Sequence, residues 1–239
     1  MSALARFHVA AQPLVDRDKF EAQGFITARS VLDVGLLESL LADMDEVFVA
    51  RLRGLGLAWT PGGTREAFHA NAQALLRADT PAYCAASRMV AELGACREAL
   101  TSAPVFRILD ELGQDEPACG PIDAHILSNA LNSRAVGAAS PAHQDGGGKR
   151  LTVWIPLTPV SVRSHPLEVS PRSHLFGLLP LGATGAIEDL RIGEETFAPI
   201  PMQPGDVIVL SSLVVHRTGE RGDGSVRVAV SSQFGEAAR

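Results

Sequence analysis

A histidine and an aspartate two residues apart, His143 and Asp145, are the first candidates for chemistry in this chain of 239 residues. Alternate side chains of an extended backbone point to the same side, so both could face one metal ion. A third ligand is expected from another strand. His216 is the candidate, because it directly follows the apolar run 207–215.

The His-x-Asp pair alone does not establish a metal site, because such pairs also occur in turns that hydrogen-bond their own backbone. With His216, however, it completes two histidines and one carboxylate. This facial triad of non-haem iron(II) oxygenases leaves coordination positions open for other ligands. The sequence therefore favours an iron site over a plain turn.

Arg227 lies eleven residues after His216, between the apolar Val226 and Val228. An arginine buried in such a strand needs an anionic partner, because an unpaired buried charge is costly. Its planar guanidinium suits the distal carboxylate of a dicarboxylate co-substrate, which it can bind at two points.

The elements that would hold these residues change character along the chain. After residue 120, short β-rich segments alternate with Gly or Pro turns, which is typical of a β-sandwich or barrel. The predicted strands are 122–131, 151–157, 167–170, 196–202, 206–215 and 225–234.

The first half has helical spacing. Gly24 is placed to end one helix, Asp33 to cap a second, and Thr80-Pro81 to open another helical region, with 98–112 continuing it. We therefore predict an α+β fold forming one domain over residues 1–239, with a helical part (1–120) buttressing a β core (121–239).

Composition narrows the possible partners. The net charge is −6 and there is no basic cluster, which argues against nucleic acid. The three cysteines form no C-x-x-C pair, which indicates reduced thiols rather than a disulfide frame. No apolar run is long enough to cross a membrane. These features predict a cytoplasmic protein acting on a small molecule, and they leave its oligomeric state open.

The order of motifs from about residue 121 to 234 resembles the phytanoyl-CoA dioxygenase family. It comprises H-x-D, the strand "TVWIPL", the P-x-S-H of "SPRSH", the P-G-D of "QPGDVIVL", a histidine and an arginine. The resemblance implies a double-stranded β-helix (jelly-roll, cupin-like) core. It also implies Fe(II) as cofactor, with 2-oxoglutarate and O2 as co-substrates.

Residue by residue, the resemblance implies roles at the following positions. The iron ligands would be His143, Asp145 and His216, and the 2-oxoglutarate contacts would be Arg227, Thr218, Trp154 and Gln144. Candidates for contact with the primary substrate are His125, Asn129, Arg134 and Arg172. Arg172 stands where the family commonly has glycine, which affects the turn before His174.

The implied reaction is oxidation, by default hydroxylation, of a small metabolite or biosynthetic intermediate, with decarboxylation of 2-oxoglutarate to succinate and CO2. The alternative is a cupin-like metal protein with a non-oxidative or binding function. Between Asp145 and the tryptophan strand, three glycines at 146–148 could form a flexible rim over the substrate or a simple turn.

Overall fold

The structure, a computed structural model, describes residues 12–127, 140–183, 185–189, 191–219 and 226–236. The helices of this part are α1 (Arg17–Gln23), α2 (Val34–Gly54), α3 (Arg65–Ala78), α4 (Thr80–Ala91), α5 (Gly94–Leu100) and α6 (Ala103–Glu111). Its strands are β1 (Phe25–Ala28), β2 (Pro117–Leu127), β3 (Leu151–Pro156), β4 (Leu167–Val169), β5 (Ala198–Ile200), β6 (Val207–Ser211), β7 (His216–Thr218) and β8 (Arg227–Glu236).

Local signals set the helix ends as the sequence predicted. Gly24 ends α1 in the left-handed conformation at φ 83°, which glycine adopts without steric cost. The Asp33 carboxylate accepts from the backbone N–H of Gly35 at the start of α2. The expected helix over 98–112 is divided between α5 and α6, because Pro104 near the start of α6 cannot continue a helix.

The strands form two antiparallel sheets. One has five strands in the order β1-β6-β3-β8-β2, and the other has three in the order β5-β4-β7. Because β1 pairs with β6, the first part of the chain supplies an edge strand to the sheet built from the second part. The predicted mixture of helices and antiparallel strands is confirmed.

The five-stranded sheet has two different faces, because successive side chains of a strand alternate. On β3, Val153 and Ile155 belong to the core shared with the helices, whereas Trp154 belongs to a second cluster. That second cluster joins Trp154 and Leu210 of the large sheet to Leu167 and Val169 of the small one. We call the face carrying Trp154 the inner face. In the described part of the chain, no helix is both long and apolar enough for a membrane span.

Candidate metal centre and active site

The three predicted ligands meet at one place. His143 and His216 form an antiparallel bridge, in which each backbone N–H donates to the other's carbonyl at 3.0 Å. This bridge fixes the loop carrying Asp145 against the start of β7. The ligating atoms of His143, Asp145 and His216 lie within 4.8 Å of one another.

The donor atoms are already turned towards a shared centre. Nε2 of His143 lies 3.7 Å from Oδ1 of Asp145, and Nε2 of His216 lies 3.6 Å from the same oxygen. The Nδ1 atoms are engaged elsewhere: that of His143 with the carbonyl of Pro141 at 2.7 Å, that of His216 with the carbonyl of Val214 at 3.1 Å. A carbonyl only accepts, so Nδ1 carries the hydrogen and Nε2 keeps a free lone pair.

Burial favours the neutral form of the more deeply buried imidazole. Burial lowers the pKa of His216, so its ring is neutral and able to coordinate. The site therefore offers two imidazole nitrogens and one carboxylate oxygen, which is a donor set that suits iron(II).

Arg227 is buried on the inner face at the start of β8, with 2% of its surface exposed. One guanidinium nitrogen donates to the carbonyl of His165 at 2.7 Å, and the guanidinium carbon lies 5.5 Å from the centre of the Trp154 ring. Its Nε, by contrast, is buried without an acceptor among the described residues. Burial lowers the pKa of Arg227 to about 9. An anion bound here would satisfy the free donor and stabilise the charge.

The triad and Arg227 line one cavity of about 600 Å³. Three further predicted residues, Thr218, Trp154 and His125, line it as well. The structure thus places seven of the eleven candidate residues at a single site. His125 points into the cavity from β2, and its Nε2 lies 2.8 Å from the hydroxyl of Ser231.

Gln144 does not line this cavity, contrary to its predicted place beside the co-substrate. Its amide nitrogen donates to the carbonyls of Gly177 at 2.9 Å and Leu213 at 2.5 Å, and its oxygen accepts from the N–H of Leu179 at 2.8 Å. The side chain between the two predicted ligands therefore ties the loop of His143 and Asp145 to neighbouring loops.

Arg172 is also outside the cavity lining, with an exposed side chain, so its predicted substrate contact has no support in the geometry. Its backbone takes φ 68°, and its N–H donates to the carbonyl of Gln23 at 2.9 Å. Arg172 thus retains the left-handed turn that a glycine would form more easily. Asn129 and Arg134, the remaining substrate candidates, lie outside the described residues.

The sequence analysis missed several contributors. The hydroxyl of Thr152 donates to Oδ2 of Asp145 at 2.5 Å, and the amide of Gln233 donates to the Asp145 carbonyl at 3.2 Å. His165 holds Arg227 through its backbone carbonyl, which side-chain type cannot reveal. Thr152 had one usable signal, since it is two residues before Trp154 and alternation places both on one face.

The glycine run at 146–148 includes backbone conformations with positive φ, which glycine favours. Gly146 and Gly148 have φ of 125° and 102°, which other residues rarely adopt, so at least two of the three positions require glycine. The hydroxyl of Ser212 donates to the carbonyl of Gly148 at 3.1 Å. Arg150, just beyond the run, lines the cavity, and a rim that moves over substrate stays a prediction.

Comparison with protein families gives a match to phytanoyl-CoA dioxygenase (PhyH) over residues 20–229. The chain belongs to this family. Membership confirms the predicted oxidoreductase class over the cupin-like alternative, and the His-Asp-His triad fits the iron that was predicted with 2-oxoglutarate. No curated protein matches the sequence.

Several solved structures have a similar fold. The epimerase SnoN, solved with Fe3+, α-ketoglutarate and nogalamycin RO, is 18% identical with a TM-score of 0.63, covering 92% of this chain and 82% of SnoN. The non-heme monooxygenase ThoJ is 17% identical with a TM-score of 0.66, covering 92% and 77%. EvdO2 from Micromonospora carbonacea var. aurantiaca, complexed with 2-oxoglutarate, is 21% identical with a TM-score of 0.52, covering 94% and 92%.

Proposed function

We propose that this PhyH-family protein is an iron(II)- and 2-oxoglutarate-dependent dioxygenase that hydroxylates a small metabolite or biosynthetic intermediate. Its catalytic core would be a double-stranded β-helix within a single domain that includes the N-terminal helices. His143, Asp145 and His216 would hold the iron. Arg227 and Thr218 would bind the far carboxylate of 2-oxoglutarate, with Trp154 as a wall beside it.

The observation that carries this proposal is the unsatisfied guanidinium beside the triad. Arg227 lines the same cavity as the three ligands and has a buried Nε with no acceptor in the described part of the chain. A carboxylate at this place would accept from that nitrogen, and the nearby hydroxyl of Thr218 could donate to it. A metal-binding protein without a dicarboxylate co-substrate has no evident use for such a buried cation.

The residues around the site either position the predicted iron ligands or close the cavity. Thr152 fixes the Asp145 carboxylate, the two backbone carbonyls fix the imidazole tautomers, and Trp154 closes the apolar side of the cavity. When bound, iron(II), 2-oxoglutarate and O2 supply an oxidant that removes hydrogen from a substrate carbon while 2-oxoglutarate becomes succinate and CO2. The protein's own part is ligand geometry, a dry cavity and the aim of the substrate.

Iron binding and succinate formation test the proposal together. Iron(II) titrated anaerobically should bind the wild-type protein at one site, and Asp145→Ala or His216→Ala should abolish binding and succinate release. His69→Ala provides a matched control, because His69 lies on α3 and outside the cavity. Full succinate production by either ligand variant would exclude this site.

The fate of oxygen separates hydroxylation from epimerisation, the activity named for the similar-fold protein SnoN. A hydroxylase should transfer one atom of 18O2 into the product, whereas an epimerase product should gain none. Incorporation into succinate alone would therefore retain the co-substrate chemistry and reject hydroxylation.

A further inference from the structure

We propose that Asp123 determines specificity at the substrate end of this cavity, and that the primary substrate is a hydroxyl-rich compound without net negative charge. The inference rests on the proposed function, because it assigns the substrate class of the same site. Its basis is a row of polar side chains on the inner face that the iron and co-substrate roles leave unused.

Strand alternation places this row in the same cavity as the triad. On β2, Asp123 and His125 line the cavity, while Ile122, Ala124 and Ile126 between and beside them belong to the core shared with the helices. Asp123 lies directly across from Ser231 in the pairing of β2 with β8. Ser231 and Gln233 of β8 line the cavity too, so two neighbouring strands form one polar surface.

Asp123 is the member of the row that lacks a partner. Its side chain makes no hydrogen bond or ion pair within the described part of the chain, although an ionised carboxylate can accept at about four lone-pair positions. Partial burial, and then the negative charge of Asp145, raise the pKa of Asp123. A ligand that donates hydrogen bonds to this carboxylate would stabilise it, whereas a second anion would add to the repulsion.

The other polar side chains of this row on β2 and β8 are uncharged. Burial, and then the charge of Arg227, lower the pKa of His125 to about 3, so its ring is neutral near pH 7. Nε2 of His125 is engaged with Ser231. Gln233 retains its amide oxygen as an acceptor, since among the described residues its side chain has a partner only at the nitrogen. Together with Asp123, they offer acceptors and mixed donor-acceptor groups, which suit substrate hydroxyls.

The positive charges of the cavity do not favour a polyanionic substrate. Arg227 is assigned to 2-oxoglutarate, and Arg217 is committed to Glu168 at 2.8 Å and Glu194 at 2.7 Å. Among the residues that the structure describes, Arg150, in the exposed segment after the glycines, is the one lining arginine left, and Asp123 brings one negative charge to the same cavity. Within the described lining, a substrate with several phosphate groups would meet one uncommitted positive charge, whereas a neutral polyol needs none.

The test uses the full-length protein with anaerobic iron(II) and 2-oxoglutarate, and a panel of three probe classes. These are methyl glycosides and inositols, their monodeoxy analogues, and acyl thioesters of coenzyme A. Binding is measured as the shift in Tm and by titration calorimetry, and turnover as O2-dependent succinate release above the level without probe. We expect at least one hydroxylated probe to bind and to stimulate release, with a deoxy analogue that loses at least tenfold in affinity.

Substitution then connects the preference to Asp123. Asp123→Leu should weaken binding of the hydroxylated probe by about 10- to 100-fold, and Asp123→Asn should lose less because it retains an acceptor. Asp115→Asn is the matched control, since it also removes one exposed carboxylate but lies outside the cavity. The unliganded Tm of each variant verifies folding, which should be preserved because the Asp123 side chain makes no hydrogen bond or ion pair within the described part of the chain.

Three results would overturn the inference: no hydroxylated probe binds, the thioesters bind more tightly than the polyols, or Asp123→Leu retains the parent affinity. The proposed function fails separately, if the wild-type protein binds no iron(II) or forms no succinate under any condition. Triad-dependent succinate formation together with any of the three results would retain the dioxygenase and reject the role of Asp123.

Discussion

The hydroxyl of Thr152 donates a hydrogen bond to Oδ2 of Asp145 at 2.5 Å, while Oδ1 of the same carboxylate faces the Nε2 atoms of His143 and His216. One oxygen is thus fixed by the protein and the other is left for the ion. The partner comes from β3, on the inner face that also carries Trp154. A carboxylate that is held in this way needs little reorganisation when a metal binds.

Replacing Thr152 by valine keeps its β-branched shape but removes the donor. We expect Thr152→Val to weaken iron(II) affinity by about 10- to 100-fold, which is the usual cost of losing an outer hydrogen bond to a metal ligand. Thr152→Ser should have an iron(II) affinity close to that of the parent, because it retains the hydroxyl. Competition with a chromogenic chelator measures both, and equal affinities for the valine and serine variants would contradict this role.

Arg227→Lys keeps the positive charge but loses the planar fork. We expect the Kd for 2-oxoglutarate to rise by about tenfold or more, because one hydrogen bond to a charged group is worth roughly 1.5–3 kcal/mol. Titration calorimetry with the iron(II) protein measures this change. Arg191→Lys is the control, because it makes the same exchange at an exposed pair with Asp189. An unchanged Kd in Arg227→Lys would place the carboxylate elsewhere.

Gln144 is expected to matter for stability rather than for co-substrate affinity. Its side chain makes three hydrogen bonds, to Gly177, Leu213 and Leu179. Gln144→Ala leaves these backbone groups unsatisfied, and we expect a loss of about 1–3 kcal/mol in the free energy of unfolding. Denaturant unfolding and the 2-oxoglutarate Kd should be measured together. A variant that is as stable as the parent but binds 2-oxoglutarate poorly would restore the original sequence-based prediction.

His125 makes the stability of the metal-free protein depend on pH. Its pKa in the folded state is about 3, below the value of 6.5 for an unperturbed histidine, chiefly because of burial. Between these pH values the unfolded chain binds the additional proton, so stability rises with pH and is lost as the solution is acidified from 6.5 towards 3. One proton accounts for a slope of at most about 1.4 kcal/mol per pH unit.

His125→Gln removes that proton. In the presence of a chelator, urea unfolding at several pH values from 7 to 4 should therefore give a shallower decline than the parent shows. Identical slopes for the two proteins would show that His125 does not carry the difference.

Sequence patterns located the site because its chemistry lies in residue types. A His-x-Asp pair, a histidine after an apolar strand and an arginine on the following strand can be recognised without coordinates, and all four side chains line one cavity. Helix ends at Gly24 and Asp33 follow from local backbone preferences, which act within a few residues.

What the sequence by itself determined was therefore the candidate ligand set, the mixed α and β composition, and the family. The tertiary structure decided which neighbours those residues meet. Gln144 and Asp145 are adjacent, yet one bonds to distant backbone and the other faces the metal centre. Thr152, Asp123 and the carbonyl of His165 acquired their places only through strand pairing and loop packing. Such contacts join residues far apart in the chain, and periodicity and local propensity carry no information about them.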